Sequence, residues 1–166
     1  MQNGILNQYP ETVPQTGDNA GKYATRDAEF WTCGFFPGSI YALLERAIKY
    51  PQYLQVPDSH RPQFQSEMLK LGRAWAEPLY AMATRTDTHD MGFIIQPALR
   101  IDWELTGNVR SFRAVVTAAE SLASRYDEKV KAIRSWDVAI NKRYKYTDKD
   151  VDFLVIVDSM CSKLLV

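Results

Sequence analysis

The chain has 166 residues, 20 basic and 20 acidic side chains, and a formal net charge of zero. Its content of 46% hydrophobic and 24% charged residues is that of a folded globular domain and excludes a disordered, low-hydrophobicity chain. The even charge balance leaves no basic footprint for nucleic acid and no acidic tail, and no stretch reaches the roughly 20 apolar residues that span a bilayer. In chain order, residues 1–27 are polar, carry Pro10 and Pro14, and read as an irregular arm. The start lacks the basic-then-apolar pattern of a signal peptide, so a cytoplasmic setting is the expectation unless the N-terminus is truncated. Phe30 to Pro37 is aromatic around Gly34 and is expected to pack closely. A first helix opens at Gly38 and Ser39, carries Ile40, Leu43, Leu44, Ala47 and Ile48 at helical spacing, and ends at Pro51. A second runs from about Phe64 to Ala83 on Met68, Leu71, Trp75, Leu79 and Met82, with Pro78 set to kink or break it.

A third helix starts near Asp90, is lined by Phe93, Ile94, Pro97, Ala98, Ile101 and Leu105, and stops at Gly107. The fourth has the clearest period, through Phe112, Val115, Val116, Ala119, Leu122, Ala123 and Tyr126. Beyond it, Lys131 to Trp136 reads as extended and Asn141 to Lys149 as a hairpin or loop. Val151 to Val157 reads as a short buried strand, and a further helix is expected from Ser159 to Val166. Helices joined by short loops make a mainly all-α fold of helical hairpins with a short β-hairpin.

Two carboxylate positions stand out. Thr86 to Phe93 gathers Asp87, His89 and Asp90 where a helix begins; the bland reading is capping and first-turn charge, the functional one a carboxylate facing a cleft. Asp158 follows the apolar run Phe153 to Val157, whose burial would favour its protonated form and suit it to general acid catalysis; a cap or a satisfied buried carboxylate is the alternative. Trp31, Trp75, Trp103 and Trp136 suit core packing, or stacking on sugar faces. His60 lies in a polar loop. Cys33 and Cys161 stand far apart with no CxxC pattern and read as buried thiols. There is no glycine-rich phosphate loop, serine nucleophile elbow or metal-ligand spacing.

Four segments, in order and at similar spacing, resemble a known family. They are Phe30-Trp31-Thr32-Cys33-Gly34-Phe35-Phe36-Pro37-Gly38, Thr88-His89-Asp90-Met91-Gly92-Phe93, Ile133-Arg134-Ser135-Trp136 and Val157-Asp158-Ser159-Met160. Together they resemble the unsaturated glucuronyl hydrolases, glycoside hydrolase family 88, from about Tyr23 onward. The resemblance implies a barrel of six helical hairpins, the (α/α)6 toroid, and a substrate with a 4,5-unsaturated uronic acid at its non-reducing end. It implies hydration of the C4=C5 vinyl ether, with Asp158 as general acid/base and Asp90 orienting substrate or stabilising charge. Trp31 and Trp136 would then wall in the sugar, His89 would position Asp90, and no metal or organic cofactor is implied. Related unsaturated rhamnogalacturonyl hydrolases are a lesser alternative.

Only about four of the family's twelve helices have a counterpart, and the pattern lapses after Met160. Residues 28–166 therefore read as the N-terminal part of an incomplete barrel. Little or no activity of the chain alone is expected, together with self-association through the open barrel edge. A non-catalytic helical fragment or interaction module is the competing reading.

Overall fold

A computed structural model describes residues 6–159. The helix expected from Ser159 onward lies outside the described residues apart from Ser159 itself, as does Cys161. The N-terminal arm is less irregular than its composition implies. Strand β1 (Tyr9–Thr12) pairs antiparallel with β2 (Ala24–Arg26), and buried Tyr9 donates its hydroxyl to the Trp75 carbonyl at 2.8 Å.

The helices fall where the periodicity puts them, but several inward faces differ. Helix α1 (Phe35–Lys49) buries Ile40, Tyr41, Leu44 and Ala47, while Leu43 and Ile48 point outward. Pro37 sits in its first turn, where a missing N–H costs nothing. Helix α2 (Arg61–Ala76) packs along α1, and Gly72 lets the Tyr41 ring come close: a Cβ there would stand 3.0 Å from it. Pro78 ends α2 as expected, and the chain continues as a tighter 3-10 turn over Glu77–Thr84. Leu79, Ala83 and the half-buried Met68, Trp75 and Met82 keep to the expected stripe, whereas Leu71 is exposed.

The third expected helix is three joined pieces: α3 (Met91–Ile95), a π-helical turn (Gln96–Arg100) and α4 (Ile101–Thr106). Pro97 gives the reason. It has no N–H to bond one turn back and its ring crowds the preceding turn, so the backbone widens locally instead of breaking. Helix α3 and the widened turn meet the start of α1 at two glycines, Gly34 against α3 and Gly38 against the turn. A Cβ on Gly34 would lie 2.3 Å from the Phe93 carbonyl oxygen, and one on Gly38 would lie 2.7 Å from Pro97 Cβ. The glycines thus allow backbone-to-backbone approach exactly where α3 must be held, and Gly34→Ala would displace it.

Gly107 adopts φ 69°, the left-handed conformation that ends α4, and Asn108 caps α5 (Val109–Ala123) by accepting the Arg110 N–H. The α5 stripe read from the sequence faces the wrong way in part. Ser111, Ala114, Ala118, Ser121 and Leu122 are buried, while Phe112 and Val116 are exposed. Small side chains bring α5 close to the Glu77–Thr84 turn, and the larger apolar ones are left outside, Phe112 against Trp103 at 4.8 Å. Two-stranded pairs follow: β3 (Tyr126–Asp127) with β4 (Ala132–Ile133), and β5 (Ala139–Ile140) with β6 (Lys145–Tyr146). The second is the expected hairpin. The strand expected over Val151 to Val157 is absent: the segment is irregular, and Val151, Val155, Ile156 and Val157 are exposed. Among the described residues no helix is long and apolar enough to cross a membrane.

One buried carboxylate ties this helical frame together. Asp102 is fully enclosed and accepts from Arg73 Nε and Nη2 (3.3 and 3.2 Å), Thr106 Oγ1 (3.1 Å), Ser111 Oγ (2.7 Å) and Asn108 Nδ2. Those donors come from α2, α4, α5 and the turn between α4 and α5. Asp102→Ala removes the acceptor these donors share, and is expected to lower the unfolding free energy by about 3–5 kcal/mol, read from urea denaturation curves; a loss under about 1 kcal/mol would contradict this role.

Candidate active site

The site is laced from three segments that have little regular structure of their own. The first is Thr86 to Asp90, entering α3. The second is Arg134 to Asp137, following β4. The third is Leu154 to Ser159. Thr88 and Trp136 form an antiparallel bridge, and the His89 N–H donates to the Ser135 carbonyl at 2.8 Å. The Ser135 N–H in turn donates to the Leu154 carbonyl at 2.7 Å, and the Ile156 N–H to Ser135 Oγ at 3.0 Å. Buried Arg125 clamps the first two segments: it donates to the Thr86 and Arg134 carbonyls and pairs with Asp137 at 3.1 Å. Arg134 holds the approach to the third. It donates to the Asp152 and Lys149 carbonyls at 2.6 and 2.9 Å and stacks on Phe153. Backbone polar groups that would be costly to bury unpaired are thereby satisfied without a sheet.

The lacing brings both carboxylates to one imidazole. His89 is fully buried; its Nε2 lies 3.3 Å from Asp90 Oδ1 and 3.7 Å from Asp158 Oδ1. The two acids therefore converge, although 68 residues of sequence separate them. Asp90 stands at the N-terminal boundary of α3, yet its side chain makes no capping bond. It accepts instead from Thr88 Oγ1 at 2.7 Å. Asp87 does not cap, being engaged in a two-pronged pair with Arg85, whereas Thr88 Oγ1 accepts the Asp90 N–H at 3.2 Å where the helix begins. Burial pushes the Asp90 carboxyl up, but hydrogen bonds from His89 and Thr88, the nearby His89 charge and a hydrogen bond from Trp136 outweigh it. The result lies below the ordinary carboxylate value.

Asp158 differs in setting from the sequence expectation. The apolar run before it does not bury it, since Val157 is 87% exposed and the Asp158 side chain 42% exposed. The argument from a buried strand therefore loses its premise. What the structure gives Asp158 is an asymmetry: Oδ1 is shut away from solvent and has no hydrogen-bond partner among the described residues, while the rest of the group is open.

An aromatic row lines the same region. Trp31, 46% exposed, meets Phe35 edge-on at 6.3 Å and Phe93 at 5.7 Å; Phe93 lies 6.4 Å from His89, and His89 lies 5.1 Å from half-buried Trp136. All five site residues read from the sequence (Asp90, Asp158, His89, Trp31 and Trp136) thus belong to one cluster. Sequence reasoning missed Phe35 and Phe93 between the tryptophans, and the serines Ser135 and Ser159 behind His89. Each lies within a segment whose more conspicuous neighbour drew the attention. A separate cavity of about 440 Å³, lined by Arg125, Arg134, Asp127, Asp137, Lys149 and Asp150, lies off this cluster. Cys33 is buried, as expected, and its thiol is pushed up to about 11 by burial. Among the described residues no group of three or more His, Cys, Asp or Glu is arranged to hold a metal ion.

The helical-hairpin frame thus presents two convergent carboxylates beside a row of aromatic rings. Comparison with known proteins makes the likeness specific. No family model matches the chain. It is 26% identical over 156 residues to an unsaturated glucuronyl hydrolase of Formosa agariphila, covering 93% of this chain and 32% of that protein. It is 27% identical over 129 residues to an unsaturated chondroitin disaccharide hydrolase of Streptococcus agalactiae, covering 78% of this chain and 28% of that protein. Among solved structures, an unsaturated glucuronyl hydrolase specific for heparin superimposes with a TM-score of 0.72 at 22% identity, over 99% of this chain and 36% of the other. A UGL variant with dGlcA-Glc-Rha-Glc gives 0.58 at 18% identity, over 97% and 36%. The likeness to unsaturated glucuronyl hydrolases carried by the four segments is borne out, and the shared fold is part of an (α/α)6 toroid. The chain spans about a third of the length of the curated relatives it matches.

Because the Asp90 carboxyl is depressed in the folded chain, it contributes stability above its unfolded value of about 3.9, and loses it as pH falls through the lower folded value. The stability difference between the chain and its Asp90→Asn variant is therefore expected to shrink steadily as pH is lowered below about 4, measured by urea denaturation. A difference that grows on acidification would contradict the assignment.

Proposed function

We propose that this chain carries the acid/base pair and part of the aromatic wall of an unsaturated glucuronyl hydrolase site, acting on oligosaccharides that end in a 4,5-unsaturated uronic acid. The observation that carries this reading is the convergence of Asp90 and Asp158 on His89, beside Trp31 and Trp136. In the reaction, Asp158 gives a proton to C4 of the vinyl ether while water attacks C5. Asp158 then recovers a proton from that water, so the sum is addition of H to C4 and OH to C5. The hemiketal formed at C5 opens and the glycosidic bond is lost. Asp90, held anionic by its donors, orients the sugar or steadies positive charge that develops on the ring. Trp31 and Trp136 flank the sugar, and no metal or organic cofactor takes part. The relatives' names point to glucuronyl and chondroitin substrates, which favours this reading over a rhamnogalacturonyl one.

Turnover by the chain alone is expected to be slow, because Trp31 and Asp158 are each nearly half open to water and positioning supplies much of a catalyst's effect. Residues 28–166 act as one catalytic unit in this reading, with the arm packed on it. The test uses an unsaturated uronyl disaccharide and its saturated counterpart. Saturable quenching of tryptophan fluorescence is expected for the unsaturated sugar, weakened about ten-fold, or about 1.4 kcal/mol, in Trp136→Ala. Loss of the double-bond absorbance should be slow and fall a further 10²–10⁴-fold or so in Asp158→Asn. A folded chain that binds neither sugar would falsify the proposal.

One observation favours a second reading, a helical module that associates with itself: Val109, Phe112 and Val116 form an exposed apolar stripe on α5, beside Trp103. A second copy of the chain is the proposed occupant. Sedimentation is expected to show concentration-dependent dimers that Phe112→Glu abolishes; a monomer at every concentration overturns it.

A further inference from the structure

Behind the buried ring of His89 stand two serines. Ser159 Oγ lies 2.9 Å from His89 Nδ1, and Ser135 Oγ lies 3.0 Å from Ser159 Oγ. Ser135 is itself fully buried, and its Oγ accepts the Ile156 N–H. We propose that Ser135 and Ser159 are positioning residues: they form a one-way chain of hydrogen bonds ending on His89 Nδ1, which fixes Nε2 as the N–H that faces the two carboxylates.

The direction follows from counting hydrogens. A serine hydroxyl has one hydrogen to give and two lone pairs to receive with. Ser135 Oγ already receives from Ile156, so its own hydrogen is the one available for Ser159. Ser159 Oγ, having received it, gives its hydrogen to His89 Nδ1, and each hydroxyl is satisfied. In the opposite direction His89 Nδ1–H would give to Ser159, Ser159 to Ser135, and the Ser135 hydrogen would be left without an acceptor among the described residues. That position is closed to water, where an unmade bond costs about 1–3 kcal/mol. The ring is also held from outside: the His89 N–H is bonded to the Ser135 carbonyl at 2.8 Å, and Trp136 stands across the imidazole at 5.1 Å.

The consequence is a division of labour between the carboxylates. With Nδ1 occupied, His89 has a single ring hydrogen to offer, on Nε2. Asp90 Oδ1, at 3.3 Å, is the nearer of the two and sits just past the ordinary hydrogen-bond range; Asp158 Oδ1, at 3.7 Å, lies well beyond it. Asp90 is therefore the more firmly anchored of the two, and Asp158, whose other oxygen is open, is left to carry the moving proton. Only this last step rests on the proposed function. Neither serine touches substrate; both act through His89.

The test is made on the whole chain with His60→Gln, which leaves His89 as the one histidine. Ring ¹⁵N shifts at pH 7 are expected to show an unprotonated Nδ1 and a protonated Nε2. In Ser159→Ala that preference should fall about five- to ten-fold, the worth of one hydrogen bond, and Ser159→Thr should keep the parent pattern. If Ser159→Ala does not fold, the parent and Ser159→Thr spectra decide. A protonated Nδ1 in the parent, whether alone or together with Nε2, or a Ser159→Ala spectrum identical to the parent's, overturns the proposal. These shifts are read without sugar. The expected tautomer in a chain that binds no sugar supports the serine chain and sinks the carbohydrate reading; sugar binding with a protonated Nδ1 does the reverse.

Discussion

Everything at this site depends on one imidazole held between two carboxylates. His89 is fully buried, and its Nε2 stands 3.3 Å from Asp90 and 3.7 Å from the enclosed oxygen of Asp158. Low solvent access strengthens each of these interactions, and would make any of them costly if its partner were removed. The ring reaches that position because its backbone is tied to Ser135 and its far side to Ser159. Shifting any of the three laced segments would separate the acids, since no sheet or long helix spans them.

The helical frame exists, in this view, to fix where α3 begins. Gly34 and Gly38 bring α1 against the backbone of Phe93 to Pro97. Pro97 widens the helix where α1 presses on it, and Asp102 locks α4 to α2 and α5. Those contacts are rigid because they are made by backbone, by small residues and by a saturated carboxylate, none of which can adjust without loss. The loop carrying His89 and Asp90 is the direct continuation of that frame. The Trp31 ring, just before α1, packs on Phe93 of α3, so the aromatic row inherits its position from the same glycine contact.

Much of this was legible in the chain and some was not, for physical reasons. Helices α1 and α2 announce themselves by apolar period, Pro78 and Gly107 mark real ends, and the hairpin after Ile140 was readable from its polar composition. The inward face of α5 was not: a moment taken over large apolar residues points to Phe112 and Val116, whereas close helix packing selects Ala114, Ala118 and Ser121. The apolar run Val151 to Val157 was misread as a strand because composition says nothing of what the backbone pairs with. Arg134 and Ser135, not a neighbouring strand, take its carbonyls and N–H groups. The carboxylates and tryptophans stand out as residues, and resemblance to known segments supplied their roles and their grouping into one site. The serines carry no pattern at all, and only coordinates connect them to His89.

Asp90 and Asp158 must feel one another across His89, and the titration of the Asp90 carboxyl, followed by its ¹³C shift at low ionic strength, reads that coupling. Replacing Asp158 by Asn removes a neighbouring negative charge, so the Asp90 midpoint should move lower still, and rising salt should shrink the movement. An Asp90 midpoint that stays put in the folded Asp158→Asn variant would mean that the two acids do not share a site, and would contradict the account.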